Sequence, residues 1–281
     1  MTQMLCALFD KYKRLTVLIA GILLSFNCTH TIIASARTGV AKPPRSAPTS
    51  PFLCLPFKAS TVPRISQGWI YSPEETSIHG IKNHFAIDFA TASGTPIYSA
   101  SDGWAVSSVH INYSGKRYKG KRFSYAFGRF VQVMHRDNNG EWLYTQYGHL
   151  SKVAPNIPTF DPIQRGDNWD PDEIYQPYSV IPPASKWIER GTLLGYVGTS
   201  GLAWDDQKET PINAGTLQSW DIPHLHFEVF RRDEKGRKSQ YFDPFGILSG
   251  DLARYNSALK GPATGLWLPD PNRGGNILYA Q

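Results

Sequence analysis

His224-Leu225-His226-Phe227-Glu228-Val229-Phe230 alternates strictly between metal-competent and apolar side chains. Successive side chains of a β-strand point to opposite faces. Read as a strand, Leu225, Phe227 and Val229 form one apolar face, and His224, His226 and Glu228 share the other. A second segment, Asn83-His84-Phe85-Ala86-Ile87-Asp88-Phe89, repeats the pattern. Phe85, Ile87 and Phe89 face one way, and His84, Ala86 and Asp88 face the other. In a flat strand His84 and Asp88 would stand ~13 Å apart at Cα. That is near the limit for two ligands sharing one ion at ~2 Å each. His84 is therefore expected at a bent entrance to the strand rather than in its middle.

Outward from these segments the same grammar continues. Phe130-Val131-Gln132-Val133-Met134 and Leu143-Tyr144-Thr145-Gln146-Tyr147 are short apolar runs, and no long window has helical period. The chain has 24 Gly and 21 Pro beside 14 Tyr, 14 Phe and 8 Trp, a balance that favours a turn-rich, mainly β protein over a helical bundle. With 41% hydrophobic and 19% charged residues it reads as globular, not disordered. Residues 64–250 form the expected catalytic domain. Residues 37–63 hold a Pro-rich spacer. A short helix is expected over Asp251 to Leu259, within a 251–281 tail whose Gly/Pro/Asn-rich end is expected to be loosely ordered.

Residues 1–36 read as a signal peptide. Lys11, Lys13 and Arg14 precede a twelve-residue apolar core, Leu15 to Phe26, and Ala34-Ser35-Ala36 supplies a small-x-small cleavage site. A mature start at Arg37 and a periplasmic or extracellular location follow. The alternative is an uncleaved anchor running to Ile33, interrupted by Asn27, Thr29, His30 and Thr31; only then would the chain meet the membrane. Cleavage leaves Cys54 as the one cysteine, which excludes an internal disulfide. Its apolar, proline-flanked setting marks it as a small buried hydrophobe rather than a nucleophile. Removing Lys11, Lys13, Arg14 and Asp10 lowers the net charge from +6 to +4, suited to anionic envelope polymers.

A third segment, Tyr147-Gly148-His149-Leu150, places one more histidine after a strand. The three segments together supply His, Asp and His with two histidines to spare. Three nitrogen and oxygen ligands with an open fourth position describe a catalytic zinc site, whereas a closed structural site would usually draw on cysteines, of which only Cys54 is available. Zinc-assisted peptide hydrolysis also needs a proton acceptor and donors for the tetrahedral oxyanion, which non-ligand histidines can provide. No G-x-S-x-G elbow, H-E-x-x-H helix, P-loop or dinucleotide-binding glycine pattern is present. His79, His110 and His135 belong to no pattern.

These motifs resemble those of the lysostaphin-like (LytM-type) zinc metallopeptidases. His84-x-x-x-Asp88 resembles the first ligand motif, His224-Leu225-His226 the second, and Tyr147-Gly148-His149-Leu150 the catalytic-histidine segment between them. Phe89 to Tyr98 with Asp102-Gly103, and Arg190 to Gly198 with Thr199-Ser200-Gly201, resemble the flanking segments. The resemblance covers roughly residues 64–248. It implies an antiparallel β-sheet with a substrate groove, one zinc ion held by His84, Asp88 and His226, and catalysis by His149 and His224. It also implies hydrolysis of peptidoglycan cross-bridges or stem peptides.

Three stretches depart from the compact pattern: basic residues 112–127, the Pro/Asp/aromatic insertion 154–186, and residues 202–223. A catalytically silent cell-wall-binding or hydrolase-activating relative is the alternative, set against five retained chemical positions. The Lys116–Arg122 run does not make a nucleic-acid binder of an exported chain. No lysine stands at the tip of Ser101-Asp102-Gly103 or Glu189-Arg190-Gly191, as a lipoyl-type carrier requires.

Overall fold

The structure, a computed structural model, describes residues 48, 50–61, 63–79, 82–110, 113–118, 121–124, 127–137, 140–159, 184–200, 223–233 and 236–281. The signal-peptide segment and most of the three insertions lie outside the described residues. Residues 46–281 form one compact unit.

The alternating segments named above supply strands of one antiparallel sheet, the segment 83–89 only from Ile87 onward. Its strands are β1 (Arg64–Gln67), β2 (Ile87–Ala90), β3 (Pro96–Tyr98), β4 (Gly103–His110), β7 (Gly128–Arg136), β8 (Trp142–Val153), β9 (Lys186–Ile188), β10 (Leu193–Val197), β11 (His224–Arg232) and β12 (Lys238–Tyr241). A separate hairpin pairs β5 (Tyr113–Tyr118) with β6 (Lys121–Ser124). The main order is β1-β2-β11-β8-β7-β4-β9; β10 joins β3 to β8, and β12 pairs with β11. Among the described residues two short α-helices accompany the sheet, α1 (Pro73–His79) and α2 (Leu252–Lys260), the latter capped by the Asp251 carboxylate.

The period of two sorts the sheet into two faces. Ile87, Phe89, Val131, Val133, Tyr147, Leu225, Phe227 and Val229 all join the main core. Each fully buried aliphatic or aromatic side chain there contributes roughly 1.5–3 kcal/mol of transfer free energy. The other face carries His84, Asp88, His224, His226 and Glu228, followed by a smaller cluster of Val106, Met134, Trp142, Tyr144 and Phe230.

The expectation of a loosely ordered C-terminal end does not hold. Trp267, Ile277 and Ala280 are buried, and Trp267 packs against Phe89, Phe227 and Phe245 beneath the sheet. Within residues 37–63, Leu53, Cys54, Leu55 and Phe57 are also in the interior. The two segments meet at parallel bridges, Leu53 with Trp267 and Leu55 with Tyr279. Apolar side chains and mutual backbone hydrogen bonds hold both, though each is rich in turn-forming residues. The Cys54 thiol donates weakly to the Ser99 carbonyl (3.7 Å), and burial pushes its pKa up to about 12. It is an inert core residue.

Candidate metal centre

Strands β2, β11 and β8 lie side by side, and their register brings the site together. His226 stands opposite Asp88 on one flank and Gly148 on the other. Asp88 and His226 thus meet as a cross-strand pair on the face away from the core.

His84 reaches them through a kink. It precedes β2, and Phe85 between them has φ +60°. A left-handed conformation is costly for an aromatic residue, and packing holds it in place. The Phe85 ring stacks on Tyr241 (4.7 Å between centroids) and meets Trp69 edge-on. The bent entrance expected from the His84–Asp88 spacing is this kink. His84 Nδ1–H donates to the Gly68 carbonyl (3.1 Å), which leaves Nε2 facing the Asp88 carboxylate at 3.4 Å.

His149 arrives by a different device. It lies inside β8 rather than after a strand. By alternation it would share the core face with Tyr147. The β7–β8 register runs Arg129 with Leu150 and then Val131 with Tyr147, so Gly148 and His149 oppose Phe130 alone. This is a β-bulge, and His149 takes φ +62° within it. The bulge turns the imidazole to the site face, with ring centroids 4.8 Å from His224 and 5.4 Å from His226. Its Nδ1–H donates to the Ser200 carbonyl (2.9 Å), so Nε2 is left as the acceptor.

The donor set fits zinc. Asp88 Oδ1 lies 3.0 Å from His226 Nδ1, and Asp88 Oδ2 lies 3.4 Å from His84 Nε2. Ligand atoms ~2.0–2.2 Å from a tetrahedral ion sit about 3.4 Å from one another. One donor atom from each of His84, Asp88 and His226 lies within 4.8 Å of the others, and all three residues are buried. Two imidazoles and one carboxylate suit zinc rather than calcium or magnesium, which prefer oxygen. His224 Nε2 is 3.6 Å from Asp88 Oδ2 and stands beside this triplet.

Electrostatics divides the histidines. Burial lowers His84 to about 4, with the nearby Asp88 opposing. Burial and the neighbouring His224 and His226 hold His149 well below the ordinary histidine value, so its imidazole is neutral. His226 behaves oppositely. Burial pulls it down, but hydrogen bonding to Asp88 and Glu228 outweighs this and raises it to about 9. Burial works against ionisation of Asp88, yet the surrounding imidazoles hold its carboxyl well below the usual carboxylate range.

Three supporting groups are not among the candidate site residues of the sequence: the Gly68 carbonyl, the Ser200 carbonyl within the flanking Thr199-Ser200-Gly201 segment, and the Glu228–Lys238 ion pair (2.7 Å). Alternation does place Glu228 on the ligand face. His135, outside every motif, is buried in a structural role, donating from Nδ1 to the Asp102 carbonyl (2.6 Å) and paired at Nε2 with the Thr145 hydroxyl (2.7 Å).

The sequence matches no family model, and no curated protein matches it. Solved structures are similar to it at low identity. The lysostaphin catalytic domain from Staphylococcus simulans is 20% identical, over 66% of this chain and 92% of that domain, with a TM-score of 0.33. Csd3 from Helicobacter pylori is 20% identical over 71% of this chain, with a TM-score of 0.35. A zinc-containing peptidase from Vibrio cholerae is 20% identical over 68% of this chain, also at 0.35. This chain spans 34% and 39% of the lengths of those last two proteins.

Proposed function

We propose that this chain is a zinc-dependent endopeptidase of the lysostaphin-like type that hydrolyses peptide bonds in peptidoglycan. The observation that carries the reading is the convergence of His84, Asp88 and His226 on one point, with His149 and His224 beside them as non-ligand imidazoles. When bound, zinc supplies Lewis acidity toward a carbonyl and lowers the pKa of water to ~7.

The chain's own residues supply the rest. His149 is neutral and its Nδ1–H is tied to Ser200, so Nε2 is oriented to accept the proton of the attacking water. His224 is positioned to donate to the developing oxyanion. The same reading places the protein outside the cytoplasm, its N-terminal segment removed before Arg37. N-terminal sequencing of protein from the native host tests that point, and an intact Met1 in a membrane fraction would show an anchor instead.

Metal analysis beside digestion of purified peptidoglycan, with fragments identified by mass, tests the central proposal. Wild-type protein is expected to hold one zinc and to release cross-bridge or stem-peptide fragments. Asp88→Ala is expected to lose metal and activity together. His149→Ala and His224→Ala are expected to keep the metal and lose roughly 10²–10⁴-fold in turnover. A wild type that binds zinc and peptidoglycan but cuts nothing would identify a silent cell-wall binder.

A further inference from the structure

Glu228 and Lys238 form an ion pair where an apolar pair would fit. Glu228 is 4% exposed, and its Oε2 accepts from Lys238 Nζ at 2.7 Å. The Lys238 ammonium sits over the rings of Phe127 (4.2 Å) and Phe230 (4.6 Å). Along β11 the same face continues into the cluster of Val106, Met134, Tyr144 and Phe230. Withdrawing two charges from water is costly, and apolar replacements of similar volume are often neutral or stabilising. Stability alone therefore gives this pair no reason to exist.

Its position supplies one. The free oxygen of the carboxylate, Oε1, lies 3.4 Å from His226 Nε2, a buried nitrogen with no other polar partner among the described residues. The opposite nitrogen, Nδ1, faces Asp88 at 3.0 Å. An imidazole that ligates through Nδ1 must carry its proton on Nε2, and a carboxylate there fixes that tautomer, the ring orientation and the ligand's basicity. His84 has the equivalent restraint from the Gly68 carbonyl (3.1 Å). Phe127 packs against His226 and Lys238, its ring 5.5 Å from that of His226 and beneath the Lys238 ammonium.

We infer that Glu228, braced by Lys238, is the positioning residue of the metal centre: it accepts the Nε2 proton of His226 and presents Nδ1 to the ion. This rests on the zinc reading of the His84, Asp88 and His226 site. Lys238 holds the carboxylate at the distance that the alternation of β11 alone would not fix, and it comes from β12, the neighbouring strand.

The test is the zinc affinity of the full chain, measured by competition with a chromophoric chelator, beside the melting temperature of the metal-free protein. Glu228→Leu combined with Lys238→Met removes both charges at once and leaves neither stranded. It is expected to stay folded without metal, with any loss in melting temperature confined to the pH range below about 9 where His226 is charged, yet to bind zinc roughly 10–100-fold more weakly. Glu228→Gln keeps an oxygen acceptor without the charge and is expected to fall between the two. In the cobalt-substituted protein the ligand-field absorption of the double variant is expected to shift, a signal that a merely structural ion pair would not move. Undiminished affinity in a folded double variant overturns the inference and leaves the zinc reading standing. If that variant does not fold, wild-type affinity in Glu228→Gln overturns it equally. A wild type that binds no zinc removes both.

Discussion

At the scale of single residues, the buried histidines answer to burial and partners rather than to sequence context. His135 donates from Nδ1 to the Asp102 carbonyl and pairs at Nε2 with the Thr145 hydroxyl, and burial lowers its pKa to about 4. His84 is lowered to about 4 as well, and His149 well below its usual value. A histidine held neutral in the fold but free to protonate near 6.5 when unfolded makes the unfolded state bind more protons in acid. Its contribution to stability is thus intact above pH 6.5 and is lost as pH falls toward 4. For His135 alone the loss is about 3 kcal/mol, from a shift of 6.5 to about 4 at 1.36 kcal/mol per unit. His226, raised to about 9, acts with the opposite sign: its contribution is full below pH 6.5 and fades as pH rises through 9. Urea unfolding of the metal-free protein at pH 7.5, 5.5 and 4.5 is expected to show the acid limb. His135→Gln, which can keep both hydrogen bonds, is expected to flatten that limb by up to one proton; an unchanged slope would mean that His135 is not held neutral. None of this was legible in the sequence, where His135 sits in an ordinary strand. The pair His224 and His226 was legible, because alternation with three core residues fixes their common face.

Elements decide how those side chains are aimed, and here the sequence revealed less. The kink at Phe85 followed from a distance that a flat strand cannot span. The bulge at His149 had no such clue, because the count of two residues against one is set by β7. Gly128 begins β7 with φ +60°, and an added Cβ there would stand 2.2 Å from the Ser200 carbonyl. That close approach lets the Ser200 hydroxyl accept from Arg129 N–H (2.9 Å) and donate to the Leu150 carbonyl (2.7 Å). Ser200 is thereby locked beside the bulge, with its carbonyl on His149 Nδ1. Gly128→Ala is expected to push Ser200 away and free the imidazole. It should cost about 1–3 kcal/mol of stability through the strained φ. The zinc content should stay at one per chain, while turnover falls by up to about 10²-fold as for a misplaced catalytic group. Metal analysis with steady-state kinetics separates these effects. Full turnover in a folded Gly128→Ala protein would detach the Ser200 contact from catalysis.

For the whole molecule the informative misfit is the C-terminal end. Its Gly, Pro and Asn content predicts a loose tail, since local propensity carries no record of a partner more than 200 residues away. Its apolar residues supply the correction. Trp267 is fully buried, stacks on Phe227 at 5.9 Å and lies edge-on to Phe89 at 6.4 Å. Phe227 follows His226 on β11, and Phe89 follows Asp88 on β2. The indole is therefore a floor under the two strands that carry two of the three proposed ligand residues. Leu53 and Leu55 complete the floor through their bridges to Trp267 and Tyr279. Trp267→Ala is expected to destabilise the protein by about 3–5 kcal/mol, the range for a large aromatic deleted from a core. Because the proposed ligands stand on the loosened strands, zinc affinity should fall with stability even though none of them is touched. Deletion of residues 262–281 removes the floor and the backbone bonds to 52–57 together, and is expected to abolish cooperative unfolding altogether. Denaturant titration with and without zinc measures both quantities. A truncated chain that still unfolds cooperatively and binds zinc like wild type would show that the site strands stand without this floor, and that the C-terminal segment is only an appendage.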